Sequence, residues 1–209
     1  MTEAQWLKAT DVRSLLILQE ARSSDRKARL FACGLGRRLL PYLGDERSRR
    51  IIDIAERNAD GHASDYDLSV AREAALDVRR GTASRLVCAA GDHGAWQGAR
   101  VFIVSLIQAG DQADARDWHA KLSKVALPIF RCVFGNPFRP VAFDPRWRTA
   151  DTVGLARGIY EERAFDRLPL LADALMDAGC ADEQVLEHCR TEGPHVRGCW
   201  VVDLVLGKE

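Results

Sequence analysis

Apolar residues recur at three- and four-residue spacing along most of this chain, and the runs open on capping residues and close on glycine or proline. A period near 3.6 fits one face of an α-helix and no face of a strand, so the pattern points to helices packed on one another. Asp11 caps a run carrying Leu15, Leu16, Ile17 and Leu18 that ends near Ser23-Ser24. Ser24 caps a second run, in which Leu30, Phe31, Leu35, Leu39 and Leu40 recur at helical spacing. Gly34 and Gly36 weaken that helix or admit a close neighbour, and Pro41 and Gly44 should kink or finish it. Asp45 opens a third run with Ile51, Ile54, Ala55 and Ala59 on one face and Gly61 as its stop. Ser64 to Asp67 (SDYD) form a capping-box-like start to a fourth. Its stripe of Leu68, Ala71, Ala75 and Val78 is small enough for close helix packing.

Two further helices are expected over about 83–109 and 112–127, the first interrupted by Gly91, Gly94 and Gly98. From Pro128 the texture changes. LPIFRCVFGNPFRPVAFDPRWRTAD carries four prolines and five aromatics, which predicts an irregular segment over 128–150 packed onto the core by its rings. Helices then resume over Asp151–Glu162, Leu168–Ala178 (stopped by Gly179) and Asp182–Arg190, with a last one starting at Pro194. The expected fold is all-α: a compact multi-helix bundle forming one domain over 1–209, with halves 1–127 and 151–209 joined by the aromatic belt.

Composition narrows the function. A chain of 209 residues with 47% apolar and 29% charged residues can bury a real core without staples. The N-terminal sequence MTEAQWLKAT is no secretory signal, and no apolar run approaches the ~20 residues of a membrane span, so a cytoplasmic location and no membrane partner are expected. The six cysteines then read as reduced thiols or metal ligands rather than a disulfide framework. Thirty basic and thirty acidic residues balance to zero, which argues against generic nucleic-acid binding. The balance is uneven: residues 22–50 hold nine Arg/Lys against three acids, and residues 151–192 hold ten acids against four Arg. These are solvated or mutually paired helix faces, or else a basic surface for an acidic partner or nucleic acid.

The strings VFGNPFRPVAFDPRW, LARGIYEERAFDRLPLLADALMDAGC, HCR and GPHVRGCWVVDLVLGKE, with SDRKARLFAC, DERSRR and AERNADG upstream, together resemble a large family of planctomycete proteins. LLADALMDAGC is also similar, more weakly, to a short helical repeat-companion module of the same bacteria. The resemblance spans most of the chain except about residues 80–125 and implies no activity, cofactor or catalytic residue. Members of that family often carry extra cysteines just after Phe31-Ala32-Cys33, where this chain has Gly34, Leu35 and Gly36.

Cys180, His188, Cys189, His195 and Cys199 are donors of the type zinc takes, although C-x7-HC-x5-H-x3-C is no standard finger spacing. If Pro194 opens the last helix, His195 and Cys199 share a face. Structural roles compete: Cys180 as the contact residue beyond a Gly179 helix stop, and Cys199 on an apolar stripe with Val196, Trp200 and Leu204. Thiol catalysis draws on Cys189 beside His188, or on Asp92-His93 within CAAGDHGAW, but neighbours on a helix point about 100° apart. Asp203, set among apolar residues in WVVDLVLG, needs a fixed cation, expected from ERAFDR or DERSRR, and reads as a structural ion pair. Phe138, Arg139, Trp147 and Arg148 are candidate anchors for a partner. The leading expectation is a non-enzymatic helical module that binds another protein, with homo-oligomers left open. The alternatives are a zinc-dependent or thiol enzyme built on the Cys180–Cys199 region and, third, nucleic-acid binding through residues 22–50.

Overall fold

Every regular element is helical in the computed structural model, which describes residues 1–43, 46–76, 94–101 and 115–208. The helices are α1 (Glu3–Leu7), α2 (Val12–Glu20), α3 (Asp25–Leu43), α4 (Glu46–Ala59), α5 (Asp65–Leu76), a helical stretch over 95–101, α6 (Ala115–Phe134), α7 (Ala150–Glu162), α8 (Leu168–Asp177), α9 (Glu183–Arg190) and α10 (Trp200–Leu206). None of them is long and apolar enough to cross a membrane.

The caps follow from side-chain chemistry. Asp11 accepts from the Arg13 N–H at 3.1 Å, and Asp182 accepts from the Val185 N–H at 3.1 Å. The SDYD box closes both ways, Ser64 N–H to Asp67 at 2.9 Å and Asp67 N–H to Ser64 Oγ at 3.1 Å. Gly61 ends α4 at φ +74°, and Gly179 follows α8 at φ +87°, with the Cys180 N–H donating to the Leu175 carbonyl. The expected cap Asp45, the stripe residue Val78 and most of the predicted 83–109 helix lie outside the described residues.

Two boundaries differ from the sequence pattern. Helix α6 runs through Pro128 to Phe134, so the irregular segment begins only at Gly135. Proline removes one intrahelical bond, to the carbonyl of exposed Lys124, while buried Ala126, Ile129, Phe130 and Val133 hold the helix on the core. At the C-terminus, α10 starts at Trp200 rather than Pro194. Gly198, at φ +85°, makes a sharp turn there; an added Cβ would sit 3.0 Å from Leu30 Cβ. The buried residues of this end are Val196, Cys199, Val201, Val202, Asp203 and Val205, with Trp200 and Leu204 only half-buried.

Helix α3 lies at the centre of the packing, against α4 on one side and α6 on the other, while α4 also carries α5. The C-terminal helices pair as α7–α8, α8–α9 and α7–α10, and α10 returns to α6. One continuous hydrophobic cluster joins these layers, from Trp6 to Val205, with Phe31 and Phe130 in edge-to-face contact at 5.6 Å. Gly34 lets α3 approach the chain closely: a Cβ there would meet Val196 at 3.1 Å and Ile129 at 3.2 Å.

The two glycine turns separate strain from crowding. Gly61 has open space around it and Gly198 has Leu30, so Gly61→Ala should cost about 1 kcal/mol and Gly198→Ala about 2–3 kcal/mol by urea denaturation. Equal costs would mean that Leu30 yields freely.

Candidate metal centre

Four donors converge where α6, α9 and the turn before α10 meet: Cys132, His188, His195 and Cys199, one ligand atom from each, all within 4.8 Å of one another. Cys132 lies on the buried side of α6 with Ile129 and Val133. His188 sits in the last turn of α9. His195 and Cys199 flank the Gly198 turn, and Cys199 caps α10 without a side-chain bond to its backbone, which leaves the sulfur free to face inward. Trp200 covers the group, its ring 5.2 Å from that of His188 and pressed against Gly135, where a Cβ would meet it at 3.2 Å.

The nitrogens are aimed. His188 Nε2 is 3.2 Å from Cys199 Sγ, and His195 Nδ1 is 3.5 Å from Cys132 Sγ. His195 Nε2 lies 3.0 Å from the Thr191 carbonyl. A carbonyl can only accept, so Nε2 carries the proton and the Nδ1 lone pair of the neutral ring points into the group. Metal-binding histidines are oriented in this way, the outer N–H held by a backbone carbonyl. Zinc with arms of about 2.3 Å to sulfur and about 2.0–2.1 Å to nitrogen has ligand–ligand edges of roughly 3.3–3.8 Å, and both measured S–N pairs lie at that scale.

The same closeness redistributes protons. Burial by itself pushes the Cys199 thiol up, but the hydrogen bond from Cys132 and the imidazoles of His188 and His195 outweigh it, and its pKa falls well below the usual thiol value. Cys132 moves well up, through burial and the neighbouring Cys199. Burial lowers His195, yet its bonds to Cys199 and Thr191 win and its pKa rises. A cation bound among these donors would displace the protons they carry.

Three of the five sequence candidates meet here. Cys180 and Cys189 do not belong to the group. Cys180 sits just past the α8 stop, and its thiol is pushed up by burial. Cys189 is next to His188 on α9 but points elsewhere, about 100° away around the helix, and burial pushes it up strongly. The fourth donor, Cys132, is one the linear pattern hides. His195 and Cys199 face each other across a turn rather than as neighbours on a helix. Cys88 and the Asp92-His93 pair lie outside the described residues.

Asp203 is buried and paired, as expected of its place in the sequence, but its cations come from α3. Arg26 donates to both carboxylate oxygens at 2.8 and 3.1 Å, and Lys27 Nζ donates at 2.5 Å while also holding the Gly198 carbonyl at 2.8 Å. Arg26 Nε continues to Asp60 at 2.9 Å, which also accepts from the Tyr160 hydroxyl at 2.7 Å. Arg163 of ERAFDR pairs instead with buried Glu56, which Arg37 clasps with two bonds at 2.6 and 2.8 Å. The candidate anchors make internal contacts. Phe138 packs on the core under Arg22, Arg139 pairs with Glu3, Trp147 meets Phe143 edge-on, and Arg148 donates to the Leu204 carbonyl at 2.8 Å.

Comparison with protein-family models, with curated proteins and with solved structures finds no match to this chain.

Removing one partner of the buried pair strands the others, so Asp203→Asn should cost about 3 kcal/mol in urea denaturation; a loss under about 1 kcal/mol would mean that Arg26 and Lys27 find other partners. Asp60 supplies a pH test. Burial alone would raise its pKa, but Tyr160, Arg26 and Lys208 hold the carboxyl below the ordinary 3.8. A lowered folded pKa contributes stability that is full above that ordinary value and is lost as pH falls through the folded one. Unfolding free energy should therefore drop on acidification below about pH 4, and Asp60→Asn should shrink that drop. An unchanged acid slope in the variant would remove Asp60 as its source.

Proposed function

We propose that this protein is a zinc-binding helical module, in which Cys132, His188, His195 and Cys199 hold a structural ion and the surface so fixed binds another protein. One observation carries the reading: four donors from three chain segments within 4.8 Å, with the free nitrogen of His195 turned inward by its bond to Thr191. A set of two thiolates and two imidazoles favours zinc over harder divalent cations. Four protein donors leave no position for water or substrate, which favours a structural over a catalytic ion. The ion would tie α6, α9 and the turn before α10 at one point. The partner-binding role rests on this closed site and on the balanced charge of the chain, which offers no uniform field for nucleic acid. The planctomycete resemblance is compatible with such a module and adds no chemistry to it.

Elemental analysis of protein purified without chelator should give one zinc per chain. Cys132→Ser and His188→Asn should each lower zinc content, whereas Cys180→Ser should retain it. Stripping the ion should lower Tm by roughly 5–10 °C, the scale set by about 2.7 kcal/mol of ligand stabilisation at a hundredfold excess over Kd. No stoichiometric zinc in the unmutated protein, or equal zinc in Cys132→Ser, overturns the reading.

A further inference from the structure

The zinc site places two sulfurs side by side that no other feature of the fold requires to meet. Cys132 comes from the C-terminal part of α6 and Cys199 from the turn before α10, and both are buried with their Sγ atoms within 4.8 Å. Each sulfur moves about a single χ1, so joining them asks for rotation at both side chains and a Cα–Cα separation within the disulfide range. The metal and a sulfur–sulfur bond are mutually exclusive uses of the same electron pairs: a thiolate that has joined its neighbour no longer ligates.

The two states also tie different parts of the chain. With zinc, all three segments are joined, His188 bringing in α9 and His195 the stretch that follows it. With a Cys132–Cys199 bond only α6 and the turn before α10 stay joined. Helix α9 then keeps its packing on α8 and α10 but loses its tether at His188.

An approach for a small oxidant exists on the histidine side. A cleft of about 420 Å³ is lined by His195 with Cys189, Thr191 and Gly193, and by Arg38, Arg163 and Arg190 at its charged rim. His195, like His188, is only partly buried, so the histidine side of the group borders solvent while both sulfurs are buried.

Resting on the zinc reading above, we infer that the Cys132–Cys199 pair is a redox-sensitive latch, in which hydrogen peroxide converts the two zinc thiolates to a disulfide, expels the ion and frees α9. The first thiolate attacks the peroxide oxygen, breaking the O–O bond and giving a sulfenic acid and hydroxide. The second thiolate attacks that sulfur, forming the S–S bond and releasing a second hydroxide. Each sulfur loses one electron, the peroxide gains two, and zinc leaves as the dication that the two thiolate charges had balanced. A dithiol reductant followed by zinc reverses the change.

Zinc-loaded protein treated with hydrogen peroxide, with a chelating dye recording zinc and peptide mapping recording the sulfurs, tests this directly. The expected result is one zinc released per Cys132–Cys199 bridge, a two-hydrogen mass loss in the linked peptides, and recovery with reductant and zinc. Hydrogen exchange should quicken over 183–195 while the α6 residues 126–134 keep their protection. The Cys189→Ser variant should respond in the same way, because that thiol takes no part. Zinc retained under peroxide overturns the latch and leaves the structural ion standing. Zinc lost with sulfinic acids, or with a bridge from Cys189, overturns it too. Protein that carries no zinc before treatment fails the metal reading first, and the latch with it.

Discussion

Polar sulfur and imidazole groups gathered in a buried pocket must be satisfied there, and the way this is done fixes the C-terminal quarter of the molecule. Cys132, His188, His195 and Cys199 are each other's partners, and the Thr191 carbonyl sets which nitrogen of His195 faces inward. None of the three contributing segments could move alone without leaving a donor unpaired. The neighbouring features serve that meeting. Gly198 makes the turn that aims Cys199, Gly135 leaves room for Trp200, and Gly34 lets Val196 seat against α3.

A second tether lies a few residues further along the same segment. Asp203 carries a charge into the interior, and it is tolerated because Arg26 and Lys27 surround it with three bonds while Lys27 also holds Gly198. Buried ion pairs of this sort contribute little net stability against an apolar alternative, but they punish any other register of α10 on α3. The buried charge and the Cys/His group therefore select the same arrangement from two sides. The basic residues of α3 are largely engaged in these internal pairs: Arg26 with Asp60 and Asp203, and Arg37 with Asp53 and Glu56.

Much of the helical frame could be read from the chain because caps and stripes are local. Asp11, Ser64, Gly61 and Gly179 act within a few residues of where they stand, and the structure uses each as the pattern predicts. The site was legible only in part, for a reason that is also physical. The four prolines from Pro128 onward mask the period of Ile129, Phe130 and Val133, which buries one face of α6 and places Cys132 on it. Cys132 thus falls in what reads as an irregular belt, away from the other three donors. Linear proximity then favoured Cys180 and Cys189, although adjacent helical residues diverge and a ligand set is assembled by tertiary contact. The need of Asp203 for a cation was readable from burial alone. Which cation answers it was not, because Arg26 and Lys27 lie at the far end of the sequence.

Zinc binding as proposed requires all four side chains to ligate one ion. X-ray absorption at the zinc edge of the purified protein addresses it most directly. The expected spectrum is that of a four-coordinate shell of two sulfurs at about 2.3 Å and two nitrogens at about 2.0–2.1 Å. A shell of nitrogen and oxygen only, or no bound zinc to measure, would contradict it.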